Sequence, residues 1–441
     1  MNEVVKRNCL LPDAVCRWIM ALLVAASLGG QALAQSAAPG AAAPASKVPD
    51  ASATASEGAP NPFNFPTVVD IGAGKVEYIS GGAVVSGYGG HRSIQGPLQQ
   101  GAFCGYSGKG AVDAEGNMFF ADHADNQVWA FLDGRIRILA GTGARGFRDN
   151  CPAGQAQFDI IAYTLHTACV VGLPGKGKGC VLVVDNKRVR RIQLKDGHWW
   201  VDTLAGGGKE RLKPGEKKLG TEIALAPDNA VACDPSRPGT VFVVEPWGGD
   251  SGLVRITLED GMAEKLVTTK GLHGQGLQLD QSGRMFGWAR ELSFTRLDKP
   301  DGKLVTLAVD NPPNVKEIMK EMEQKYGKGY CRDGGWDGPG DKVDWYCPSS
   351  WAINSAGTAL YAGGGDAWNV RRIKDGYVKT LFANGEYHVR QAMNEKTNPV
   401  WQVGSPCASA GEGIYLRSGP YEGANSIIRY TPGTNTEVEG E

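Results

Sequence analysis

The stretch from Gly116 to Gly143, GNMFFADHADNQVWAFLDGRIRILAGTG, constrains the fold more than any other part of the chain, because its order of parts returns several times. An apolar run ending in Asp122 is followed by a polar turn, a second apolar run from Val128, the Asp133-Gly134 dipeptide and a third run closing on Leu139-Ala140-Gly141. Asp-Gly between apolar runs is a strong local signal for a tight hairpin, because both residues tolerate positive φ. The same order runs from Val181 to Gly208 and from Thr240 to Thr269, then again from Arg284, Ala359 and Gly413. A further short strand precedes each copy, as in KGAVDAEG, HTACVVG, NAVACDP, GLQLDQSG, SWAINSAG and PCASAGEG. Four strands per copy at a spacing of about forty residues or more is the pattern of a β-propeller. The last copy stops one strand short. GKVEYISGG, from Gly74 to Gly82, reads like the missing outer strand. The expected fold is therefore all-β: a six-bladed β-propeller with four-stranded blades, the sixth closed by an N-terminal strand so that no sheet edge is left open.

On these residues the chain resembles the NHL-repeat family of β-propellers. The resemblance is carried by Asp122, Asn126, the Val128 to Phe131 strand and Leu139-Ala140-Gly141 in the first copy. In the second it is carried by Val183-Val184-Asp185-Asn186, Arg188-Val189-Arg190-Arg191-Ile192 and Leu204-Ala205-Gly206, and Ala156-Gln157-Phe158 resembles the link between two such repeats. The match is specific over 110–208, and beyond that it rests on the strand pattern. The family implies a six-bladed fold with ligands at the mouth of the central channel. Its members include interaction modules and enzymes. Among related propellers, amidating lyases place His ligands on a zinc, and gluconolactonase-like enzymes hold a divalent cation through Glu, Asn and Asp.

The ends of the chain read differently from the repeats. Lys6, Arg7 and Arg17 precede the apolar run Trp18 to Leu28 and the small-residue motif Ala32-Leu33-Ala34, so 1–34 is expected to be a signal peptide. Residues 35–62 are rich in Ala, Pro and Ser and cannot bury enough apolar area to offset ordering entropy, which reads as a flexible linker. The propeller is placed at 63–434 with an insertion at 310–347, and 435–441 is a C-terminal tail. Within the insertion, VKEIMKEMEQKYG has helical composition, with Ile318, Met319, Met322 and Tyr326 able to share one face; it falls between blades 4 and 5.

Charge and cysteines bound the partners. The first 34 residues remove Lys6, Arg7, Arg17, Glu3 and Asp13, leaving 43 basic against 45 acidic residues. That balance argues against nucleic acid as the partner, and no second apolar run is long enough for a transmembrane segment after signal cleavage. The chain is expected to be exported, periplasmic or extracellular. The eight cysteines left after Cys9 and Cys16 are removed fit an oxidising compartment. Cys169 and Cys180 flank a hairpin and Cys331 and Cys347 flank a loop, making two candidate disulfides.

Candidate site residues come from the loops expected at the channel mouth. Asp122, Asp185 and Glu245 end equivalent strands, so they could ring the axis and hold calcium. The simpler alternative is that each carboxylate accepts hydrogen bonds within its own turn. His123, His166 and His273 fall on three blades near the same mouth, and three imidazoles can make an open zinc site. Arg290 and Glu291 form a charged pair beside Trp288, suited to orienting a polar ligand or to an interblade salt bridge. In the insertion, Trp336, Trp345 and Tyr346 are candidate contact residues for a sugar or aromatic ligand, and Asp333, Asp337, Asp341 and Asp344 offer carboxylates. No nucleophile elbow, phosphate loop or dinucleotide fingerprint occurs in a suitable setting. The expected function is binding of a small molecule, carbohydrate or protein through the loop face. The rival is a metal-dependent hydrolase or lyase at the same mouth, with calcium or zinc as the cation.

Overall fold

The computed structural model describes residues 68–70, 74–80, 95–98, 110–123, 125–161, 168–227, 229–244, 252–266, 272–289, 293–300, 302–309, 314–326, 337–343, 350–364, 369–382, 403–410, 413–418 and 426–433. Their strands hydrogen-bond into six sheets. In the second sheet the chain runs from an inner strand, Ala168–Leu173, through Lys178–Asp185 and Arg188–Lys195 to an outer strand, His198–Gly206, each antiparallel to the one before. The other sheets repeat this order, and the whole is an all-β propeller.

The side-chain period of two explains why the middle strands are so apolar. Val181 and Val183 point into a core shared with Phe119, Ala121, Val128 and Ala130 of the first sheet. Leu182 and Val184 point the other way, against Val231, Val241 and Val243 of the third. With both faces buried, neither set of alternate positions is free to be polar, and VLVV reads as a continuous run rather than an alternation. The third sheet packs on the fourth through Phe242, Val244, Leu277 and Met285. The fourth packs on the fifth through Phe294 and Trp351, whose rings meet edge to face at 6.1 Å. Tyr415 and Ile427 of the sixth pack against Met118 and Phe120 of the first.

The turns are built from a few residue types. Asp133-Gly134, Asp196-Gly197 and Asp375-Gly376 join third to fourth strands with both residues at positive φ, the backbone that Asp-Gly favours. At the same end of the sheets, Asp113, Asp234, Asp280 and Asn354 close the first hairpin. Each side chain accepts backbone N–H bonds from the turn that follows it, for instance Asp280 Oδ1 from Ser282 and Arg284 at 2.9 Å each.

Four strands per blade was the expectation, and the structure corrects it. Five of the sheets carry a short fifth strand on the outer edge. These are Gly96–Pro97, Cys151–Pro152, Lys217–Leu219, Gly338–Pro339 and Val68–Asp70. All except the N-terminal Val68–Asp70 lie in the segment leading into the blade, and each covers backbone groups that would otherwise face solvent. The fourth sheet has four strands among the described residues. Only 267–271 separate its first strand, Leu272–Leu279, from the third sheet's outer strand, too short a span to run out to the edge and back. The sixth sheet combines both ends of the chain: Gly74–Ser80 pairs with Ser426–Pro432 from Gly74 opposite Pro432 to Ser80 opposite Ile427.

The helix Val315–Tyr326 buries Ile318 in the core between the fourth and fifth sheets, with Met319 packed beside it. No helix among the described residues is long and apolar enough to cross a membrane. The cysteine pairing also differs from the expectation. Cys169 is bonded not to Cys180 but to Cys233, with Cα atoms 5.9 Å apart. In the hairpin register Cys169 lies opposite Leu182 and Cys180 opposite Val171, so the two are offset along the ladder. Cys233, on the inner strand of the third sheet, packs against the core that holds Cys169. Cys180 is a free thiol, and burial pushes its pKa up to about 12.

Candidate functional site

Loops between second and third strands emerge at the same end of the sheets as the links between blades, and the two are tied together. Asn126 and Asn186 occupy equivalent turns at φ 49 and 52, a conformation that Asn tolerates better than most residues. Between these turns passes the link out of the first blade. Asn126 Oδ1 accepts from Ile160 N at 3.2 Å, and Asn186 Nδ2 donates to Asp159 Oδ2 at 2.9 Å. Arg145 Nε donates to the other oxygen of Asp159 at 2.5 Å. Burial acts to raise the pKa of Asp159, but the hydrogen bonds from Arg145 and Asn186 outweigh it, so the carboxyl is held below its ordinary value.

Asp185 turns inward. It is 2 % exposed, its Oδ1 accepting from Asp159 N and its Oδ2 from Arg190 Nη1, both at 2.6 Å. Burial pushes its pKa up, opposed by the Asp159 amide and by Arg190. Arg190 is fully buried and works as a bracket. Nη1 also donates to Gln157 O at 3.1 Å, and Nη2 donates to Arg148 O at 2.8 Å and lies 3.1 Å from Asp149. The rings of Phe147 and Phe158 each lie 4.9 Å from its guanidinium. The arrangement recurs in part in the fifth sheet. Arg371 is fully buried and lies 3.8 Å from Asp337, which accepts from Thr380 N, much as Asp149 accepts from Thr203 N. Asp337 therefore belongs to the link that covers the edge of the fifth sheet.

The end of the outer strand fits closely under these turns. A Cβ at Gly206 would lie 2.1 Å from Lys187 O, and one at Gly207 would lie 2.9 Å from Arg188 Nε. Both residues have φ +88, so the LAGGG run is needed for the strand end to pass beneath the turn and leave room for Arg188.

Of the candidates named from sequence, Asp122 and Asp185 end equivalent strands as expected, and both are buried. His123 follows Asp122 and is half-buried. His273 lies in the strand Leu272–Leu279, but its side chain is outside the described residues. His166, Glu245, Arg290, Glu291, Trp336, Trp345, Tyr346, Cys331 and Cys347 also lie outside them. Among the described residues no three His, Cys, Asp or Glu side chains converge as a metal-holding group. Sequence reasoning missed the brackets at Arg190 and Arg371 and their link acids. A signal was present in the recurrence of Val-Arg-Arg-Ile at 189–192 and 370–373 and of a Pro-ending edge strand just after each acid.

No family model matches the chain, and no curated protein matches it. Among solved structures it is similar to an auxiliary nutrient binding protein from Bacteroides ovatus, at 12 % identity over 80 % of this chain and 76 % of that one, with a TM-score of 0.50. A protein of unknown function from Bacteroides thetaiotaomicron is 14 % identical over 81 % of this chain and 75 % of that one, with a TM-score of 0.47. The PQQ-bound aldose sugar dehydrogenase of Streptomyces coelicolor is 12 % identical over 77 % and 99 %, with a TM-score of 0.39. At these identities the likeness is one of fold: these structures are β-propellers.

Proposed function

We propose that this chain is an exported, NHL-type, six-bladed propeller that binds a small molecule, carbohydrate or protein through the face where the second-to-third-strand turns and the interblade links meet. The observation that carries the reading is the bracket of Arg190, Asp185 and Asp149, which holds turn and link together and presents neighbouring side chains on a fixed frame. A frame of this kind lowers the ordering cost of binding. Export is supported by the leader pattern of 1–34 and by the Cys169–Cys233 disulfide, a bond that persists in oxidising compartments. The fold is shared with a protein described as nutrient-binding, and the proposed role is compatible with that. In this reading Trp336, Trp345 and Tyr346 of the insertion, with Arg290 and Glu291, contribute contacts to the ligand, and so does His123 from the turn after Asp122.

The test is a thermal-shift screen of the mature chain, from Gln35 onward, against sugars, amino acids and short peptides, with metal analysis alongside. The expected result is a ligand that raises the melting temperature of the wild type and acts more weakly on His123→Ala. At about 100 times Kd such a ligand stabilises by about 2.7 kcal/mol. A stoichiometric metal whose removal by chelator lowers the melting temperature, and which is lost in His123→Ala or Glu245→Gln, would instead favour the metal-dependent hydrolase or lyase, with calcium or zinc as the cation.

A further inference from the structure

Phe147 is an unusual residue on this face. It lies in the link between the first and second blades, and as a large hydrophobic residue it is 50 % exposed. Arg188 places its guanidinium 4.0 Å from the ring centroid, and buried Arg190 lies 4.9 Å away. The stack is constructed from both sides. Gly207 leaves the space that Arg188 occupies, and Arg190 fixes the carbonyl of Arg148, next to Phe147 in the chain. Exposed basic residues flank this stack in the chain, Lys187 beside Arg188 and Lys209 and Arg211 just after Gly207. Neither they nor Arg188 has a carboxylate within ion-pair distance among the described residues. The nearby acids Asp159 and Glu210 are taken by Arg145 and Lys218, leaving Glu222 as the exposed acid beside Gly208. This is a local excess of cations on a chain that carries 46 basic and 47 acidic residues in all.

Building on the loop-face reading, we propose that the Phe147–Arg188 shelf is a subsite for an acidic saccharide, a uronate-bearing oligosaccharide whose carboxylates meet Arg188, Lys187 and Lys209 while the apolar face of a sugar ring lies on Phe147. A planar guanidinium pairs with a carboxylate through two parallel hydrogen bonds, and an aromatic ring held in place supplies contact area at little cost in entropy. Charge alone would recognise any polyanion; the exposed ring, stacked rather than packed away, selects a ligand with a flat apolar face. The glycines at 206–208 keep the strand end clear of side chains beside the shelf.

Titration calorimetry with short oligogalacturonates tests this on the mature chain. Neutral maltooligosaccharides of matched length and poly-glutamate serve as comparison ligands. Oligogalacturonate is expected to bind more tightly than either, and more weakly as salt rises. Arg188→Gln and Phe147→Ala are each expected to weaken it about tenfold, and Lys187→Gln with Lys209→Gln to flatten the salt dependence. Arg188→Lys, which keeps the charge and loses the planar stack, should fall between wild type and Arg188→Gln. Melting curves within the wild-type range establish that each variant is folded. Equal binding of poly-glutamate, or binding indifferent to Arg188 and Phe147, overturns the proposal, as does no binding of oligogalacturonate. If oligogalacturonate does not bind but a different ligand from the screen binds and responds to His123→Ala, the shelf proposal fails while the loop-face reading stands. If nothing binds in either experiment, both fail.

Discussion

A buried guanidinium is tolerated when its charge is met, and Arg190 meets that condition with two carboxylates, while two link carbonyls accept from Nη1 and Nη2. Removing it leaves Asp149 and Asp185 close together without their counter-charge. Arg190→Met is expected to cost about 3–5 kcal/mol, read from the midpoint of urea unfolding. Arg371→Met should cost less, because Asp337 is 3.8 Å away and 31 % exposed. Asp202 gives a pH signature. It accepts from Arg191 Nε at 2.8 Å and Nη2 at 2.9 Å and from Lys195 Nζ at 3.2 Å. Burial acts to raise its pKa, but Arg191 and then Lys195 outweigh burial and hold it below the ordinary 3.8. A carboxylate whose pKa is lower folded than unfolded contributes stability above its unfolded value and loses that contribution as pH falls through its folded value. Asp202→Asn is therefore expected to lose about 1–3 kcal/mol at neutral pH. Its deficit relative to wild type should shrink as urea unfolding is repeated below the unfolded value.

Among the strands and turns, the same residue type carries very different weight. Gly134 sits at φ +69 in an open Asp-Gly turn, where a Cβ would meet nothing within 4 Å. Gly206 sits at φ +88 against the Lys187 carbonyl. Gly134→Ala is expected to cost about 1–2 kcal/mol, the backbone cost alone. Gly206→Ala adds a collision with the backbone and should exceed that; parallel denaturation curves rank the two. Both glycines were visible as punctuation of the repeat. Their difference was not, because it depends on what lies across the sheet. The fifth strands were hidden for a related reason: two or three residues such as Gly96-Pro97 carry no periodicity and acquire strand geometry only by lying along a finished edge.

For the whole molecule, two connections join parts of the chain that are distant in sequence. Cys169–Cys233 links inner strands of neighbouring sheets across a separation of 64 residues. Replacing both cysteines by Ser is expected to cost about 4 kcal/mol on the chain-entropy model. Cys180→Ser should leave this disulfide intact in a non-reducing peptide map. The sixth sheet makes the second connection, through Gly74–Ser80 along Ser426–Pro432 and the Arg429–Glu77 ion pair. A chain beginning at Asn61 is expected to melt with the full-length protein. One beginning at Gly82 loses the outer strands of that sheet and should melt earlier and aggregate, which scattering during the melt would detect.

What the sequence determined by itself was the repeat. Apolar runs of strand length, Asp-Gly turns and the LAG closure are local, and the pairing of an N-terminal strand with the last repeat follows from counting strands. Asp122 and Asp185 were legible as equivalent positions, since equivalence is a property of the repeat. What those carboxylates do was decided only in three dimensions. Asp185 meets a link residue 26 positions earlier and an arginine on the next strand, and periodicity does not reveal such a meeting. The disulfide partner of Cys169 was likewise settled by ladder register and by packing between blades. So was the stack of Arg188 on Phe147, because it requires a glycine from a third segment to make room. Strand pattern is encoded within a few residues; the groups that meet on the loop face come from segments that only the packed sheets bring together.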